Sequence, residues 1–190
     1  MKGFARREFQ LVLLRRMADY QPGMVDGAMR ALDASRTEMR EVNARWQRIL
    51  RSRTFPRGLR RYEAVLGPAA VTERRIGDVR CEVARWPPLP LWPGLRFEIM
   101  MAPDGSVAQE WLVRDEDDPA PRLESVDDLV PWSCVVGDLG ALDGLDGRPG
   151  PITHQDGDAP SRWHVTFSAP DGSSYVAHFV WGLLQEVVAV

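Results

Sequence analysis

The pentapeptide Ala-Pro-Asp-Gly-Ser occurs twice, at 102–106 and at 169–173. Pro then Asp suits the central residues of a type I turn, and the Gly supplies the left-handed residue of a G1 bulge. A three-residue loop of this kind joins antiparallel strands and fixes their register. Strand-like runs flank each copy, 95–101 with 107–113 and 163–168 with 174–181. The fold must therefore contain two hairpins of known pairing.

In the second hairpin 169 faces 173, so 167 faces 175 and 165 faces 177. Val165, Phe167, Tyr175, Ala177 and Phe179 then share a core face. His164, Thr166, Ser168, Ser174, Val176 and His178 share the other, with His164 directly opposite His178. In the first hairpin the same rule pairs Phe97 with Trp111, Ile99 with Gln109 and Met101 with Val107, and sets Glu98 opposite Glu110. Apolar Phe97 and Trp111 occupy the positions held by His164 and His178. The faces are exchanged, so the shared string is convergent turn chemistry and not a duplicated domain.

The N-terminal third has a different period. Phe9, Val12, Leu13, Arg16 and Tyr20 follow helical spacing over 4–20, and Leu11 and Leu14 widen the apolar arc. Gln21-Pro22-Gly23 ends that helix. A second helix is expected over 24–52, where Val25, Ala28, Leu32, Ser35, Met39, Val42, Trp46 and Ile49 trace a heptad seam. It folds back on the first or pairs with a second copy of the chain. A short helix around Leu59, Tyr62 and Leu66 closes at Gly67-Pro68.

Strands follow. Val71–Ile76 and Val79–Trp86 flank the turn pair Gly77-Asp78, and the proline-rich segment 86–93 must cross in extended form with two Trp rings to bury. A short helix from Ser125 and a strand at 132–136 precede a Gly/Asp/Pro-rich loop over 137–160. The expected architecture is α+β: an N-terminal antiparallel helical pair, then an antiparallel sheet of about six or seven strands built from hairpins.

Charge divides the chain in the same order. Residues 1–61 carry 15 basic and 6 acidic side chains, residues 62–190 carry 9 and 21, and the formal charge of −3 is their cancellation. This suggests a basic helical arm over 1–61 and an acidic β-rich domain over 62–190. Arg outnumbers Lys by 23 to one, as in a GC-rich bacterial coding genome. No apolar run reaches the length of a membrane span or a secretory signal core, so a cytoplasmic protein is the default expectation.

The densest charge feature is Arg45–Arg61. Arg45, Arg48, Arg51, Arg53, Arg57, Arg60 and Arg61 fall within it, with no acid between Val42 and Tyr62. Trp46, Phe55 and Leu59 are interleaved with them. Such a segment suits an acidic protein surface, and it also suits phosphate backbones and stacked bases or an anionic membrane surface. Its plainest alternative is pairing with the chain's own acidic part.

Two smaller constellations concern chemistry. His164 and His178 are weak candidates for a metal or for acid/base work, set against two solvated imidazoles. Glu98 and Glu110 are candidates for an acid/base pair, set against a salt-bridge cluster with Arg80, Arg85 or Arg96. The aspartates of 137–160 miss the calcium-loop spacing. Cys81 and Cys134 sit in apolar runs as buried thiols or one disulfide. No cofactor motif is present. The reading that follows is a non-enzymatic interaction or assembly module with a basic helical surface. The alternatives are an enzyme or ligand binder with a sheet-face pocket, and a nucleic-acid binder.

Overall fold

The computed structural model describes residues 4–141, 153–154, 161–169 and 171–190. Among these lie α1 (Arg6–Met17), α2 (Pro22–Ala31), α3 (Arg36–Arg51), α4 (Leu59–Leu66), β1 (Ala70–Ile76), β2 (Val79–Arg85), β3 (Leu95–Met101), β4 (Val107–Arg114), β5 (Thr153–His154), β6 (Arg162–Ser168), β7 (Ser174–Val180) and β8 (Leu183–Ala189). The class is α+β. The strands form two antiparallel sheets, ordered β1-β2-β3-β4 and β5-β6-β7-β8, in place of one sheet of six or seven. The chain divides into two compact units, Met1–Pro93 with Phe97–Gln109, and Gly94–Arg96 with Glu110–Val190. The change of charge sign near residue 61 falls inside the first.

In the first unit α1 is buried around most of its circumference, at Phe9, Gln10, Leu11, Val12, Leu13, Leu14 and Met17. It packs against α2, α3 and α4. The single helix expected over 24–52 does not form. After Ala31 the chain makes a Schellman motif, with Asp33 at φ 49 and with Asp33 N–H and Ala34 N–H donating to the carbonyls of Arg30 and Met29. Ser35 then caps α3, its hydroxyl accepting from Glu38 N–H at 3.1 Å. The Arg7 guanidinium holds the break by donating to Leu32 O, Asp33 O and the Glu38 carboxylate. Val25, Met39, Val42, Trp46 and Ile49 of the expected seam are buried within one chain, and Ser35 is exposed as the cap. With the helix broken and most of the seam covered, the basis for a homomeric coiled coil is gone.

Phe9, Trp46, Tyr62, Trp86 and Phe97 form a continuous aromatic core, with Phe9 and Phe97 edge-to-face at 4.8 Å. The proline-rich crossing lies on it, and Trp86 and Trp92 are both buried as expected. Prolines leave carbonyls that need donors from elsewhere. Arg6 donates to Pro87 O and Pro88 O, and the Gln10 amide oxygen accepts from Leu91 N–H. The β1–β2 hairpin pairs Ile76 with Val79 around Gly77-Asp78, as the sequence predicts.

In the second unit the β6–β7 register is the one read from the turn, with His164 facing His178, Val165 facing Ala177 and Phe167 facing Tyr175. Trp163, Val165, Phe167, Ala177, Phe179 and Leu184 build its core with Leu123, Leu129, Cys134 and Leu139. The expected strand at 132–136 is absent. Pro131 precedes a left-handed Trp132 (φ 65), which prevents a regular strand. The segment instead runs along the start of β8, through Trp132 N–H to Leu184 O, Leu184 N–H to Cys134 O and Val136 N–H to Gly182 O. A 3-10 turn at Val126–Asp128 replaces the short helix expected from Ser125.

β7 ends at Val180, and Trp181-Gly182 closes a two-residue turn with both φ values positive (53 and 76). Position 182 also has no room for a side chain, since a Cβ there would lie 2.7 Å from Leu112 O. β8 carries one bulge. Phe179 pairs with Leu184 but His178 pairs with Glu186, so Gln185 is the extra residue.

Candidate functional site

The basic segment lies wholly in the first unit, on the last turns of α3, the connection after it and the first turn of α4. Trp46 is 2% exposed and stacks on Phe4 at 5.5 Å, so it belongs to the core and offers no platform for a base. The Arg45 guanidinium lies over the Phe4 ring at 5.9 Å. Arg61 donates to Pro56 O. Arg48, Arg51, Arg53, Arg57 and Arg60 are exposed.

Ion pairs elsewhere show what these five lack. Arg7 binds Glu38, Arg15 binds Asp19, Arg36 binds Asp26, Arg96 binds Asp115 and Arg114 binds Asp118 and Asp138. Glu38, Asp26 and Asp115 are each held below the usual carboxylate range by the hydrogen bond from their arginine. Arg48, Arg51, Arg53, Arg57 and Arg60 form no ion pair with a described residue. Arg48 and Arg51 sit where the negative end of the α3 dipole favours cations. Arg60 sits at the opposite kind of end, in the first turn of α4, where no acidic residue offsets it.

Glu98 and Glu110 belong to different units. Glu98 is fully buried in the first unit and bound by two arginines. Arg74 donates to both of its oxygens at 3.1 and 3.2 Å, and Arg85 donates at 2.6 Å. Arg80 is exposed, and Arg96 pairs with Asp115 at 2.8 Å in the second unit. Glu110 is half-buried on β4 in the second unit. Arg74 is the partner that sequence reasoning missed. The β1–β2 register supplies it, because Arg74 faces Cys81 on the same side as Arg85.

His164 and His178 are half-buried, with ring centroids 6.4 Å apart and planes inclined at 45°. Partial burial holds His178 below the ordinary imidazole range, with the charge of Glu186 opposing and that of His164 adding. Among the described residues no three His, Cys, Asp or Glu side chains converge as a metal cluster. Cys81 and Cys134 are buried free thiols, and burial pushes Cys134 up to about 12. In the 137–160 stretch Asp138 is buried, where it accepts from Arg114 and from Val135 N–H. Asp143, Asp146, Asp156 and Asp158 lie outside the described residues.

A cleft of about 460 Å³ in the first unit is lined by Arg6, Arg7, Gln10, Leu32, Asp33 and Pro88 among others. None of Glu98, Glu110, His164 or His178 lines it. Arg7 already spends its guanidinium on the α2–α3 break, and Gln10 spends its amide on Arg6 O and Leu91 N–H. No described helix is long and apolar enough to cross a membrane. No family model, curated protein or solved structure matches the chain.

Proposed function

We propose that the protein is a non-enzymatic interaction module whose first unit docks an acidic segment of a protein partner on Arg48, Arg51, Arg53, Arg57 and Arg60. The observation that carries this reading is the absence of ion pairs between these five exposed arginines and any described residue. Like charges gathered at one place repel one another and lower stability, so their retention without a partner among the described residues favours an external one. The burial of Trp46 leaves half-buried Phe55 as the segment's one accessible aromatic ring for a base to stack on, and the formal charge of −3 also favours a protein over a polynucleotide.

Each exposed Arg–carboxylate contact contributes only about 0.2–1 kcal/mol. Five together give a fast, salt-sensitive association more than a tight one. The test is fluorescence anisotropy with a labelled acidic decapeptide and with random single- and double-stranded DNA, at low and high salt. Saturable peptide binding that weakens with salt and is lost on reversing the five charges to Glu supports the reading. Tighter binding to DNA, or peptide binding that survives the reversal, overturns it.

A further inference from the structure

A different observation concerns the second sheet. The β6–β7 ladder is hydrogen-bonded at Ala169 N–H to Ser173 O at one end and at Trp181 N–H to Ser161 O at the other. Both ends have the same parity, so His164 and His178 occupy a non-hydrogen-bonded pair between them. In such pairs the Cα atoms approach to about 4.5 Å and the side chains are at their closest.

The bulge in β8 adds a third side chain to the row. Without it the ladder would carry on from Phe179–Leu184 to His178–Gln185, and Glu186 would face the other side of the sheet. With Gln185 as the extra residue, Glu186 pairs with His178. Gln185 is fully buried, and its amide is fixed by Trp132 Nε1–H and Leu183 O. His164, His178 and Glu186 thus stand side by side on three adjacent strands, all half-buried.

We propose that His164, His178 and Glu186 bind a divalent transition-metal ion of the zinc class, with water completing the shell. Two neutral imidazoles and one carboxylate are a donor set that Zn²⁺ accepts. As they stand the three side chains do not converge. Two imidazoles sharing one tetrahedral ion through their outer nitrogens have centroids about 5 Å apart, from Zn–N distances of about 2.0–2.1 Å. The observed separation is 6.4 Å, so closure needs the rings to approach by a little over one ångström, through modest χ1 adjustment shared by two half-buried side chains.

The test is calorimetric titration of the full, tag-free chain with Zn²⁺ at pH 7.5, with Co²⁺ absorption as a readout of coordination. One ion per chain is expected. His164→Ala and His178→Ala each weaken binding at least tenfold, and Glu186→Gln weakens it severalfold. Protection of His164 and His178 from diethylpyrocarbonate by Zn²⁺, read by mass spectrometry on the unaltered chain, holds even where a variant folds poorly. Absence of Zn²⁺ binding, equal binding by the His164→Ala/His178→Ala double variant, or absence of protection overturns the proposal.

Discussion

Gly182→Ala tests whether the β7–β8 turn is fixed by a close main-chain approach. Gly182 has φ +76, and a Cβ there would lie 2.7 Å from Leu112 O, 2.9 Å from Trp111 Cβ and 3.3 Å from Leu112 N. Gly172 in the β6–β7 turn is the natural control, with φ +84 and nothing within 4 Å of a Cβ. Both alanines carry the left-handed cost of about 1–2 kcal/mol. At 182 the clash is with backbone, so relief requires moving β4. That movement strains the 2.7 Å bond from Leu112 N–H to Trp181 O, worth about 1 kcal/mol, and adds an overpacking cost of about 1–3 kcal/mol. The expected loss is ~3–6 kcal/mol for Gly182→Ala against ~1–2 kcal/mol for Gly172→Ala. Urea unfolding followed by tryptophan fluorescence and far-UV circular dichroism measures both. Equal losses at the two positions would refute the close approach as the reason for glycine.

Other consequences are separately measurable. Ser35→Ala removes the α3 cap and should lower stability by about 1 kcal/mol in the same unfolding assay, with α3 helicity retained. Arg96 holds the Asp115 carboxyl below its ordinary range, so this contact stabilises above about pH 4 and is lost as the pH falls through the depressed value. Arg96→Gln should therefore cost about 1 kcal/mol at pH 7 and little near pH 2, read from chemical unfolding at the two pH values. Both thiols are buried, so a thiol-reactive chromophore should modify neither in the native protein and both in denaturant.

Local chemistry was legible where the chain states it outright. The second Pro-Asp-Gly turn fixed its hairpin, and the His164–His178 pairing follows from it with no other information. The α2–α3 break was equally written, since Ser35-Arg-Thr-Glu38 is a helix-start signature. The heptad spacing of Val25 to Ile49 masked it, because two helices packed on the same core keep a common apolar face across a short break. β8 was missed because Trp181-Gly182 demands a left-handed Trp, which sequence preference alone does not suggest. Glu186 could not be placed beside His178 without the bulge. Arg74 was legible in principle from the Gly77-Asp78 register, and Trp46 was not, because an aromatic among arginines reads alike on a surface and over a core.

The central claim is that the five arginines are kept for another molecule. Reversing Arg48, Arg51, Arg53, Arg57 and Arg60 to Glu tests it most directly when stability and acidic-peptide binding are measured on the same protein. The account predicts a stability change of no more than about 1–2 kcal/mol, because no ion pair with a described residue is lost and the dipole cost at Arg48 and Arg51 is partly offset at Arg60, with peptide binding abolished. A loss of several kcal/mol in the variant would contradict it, since the arginines would then be serving the protein's own acidic side chains.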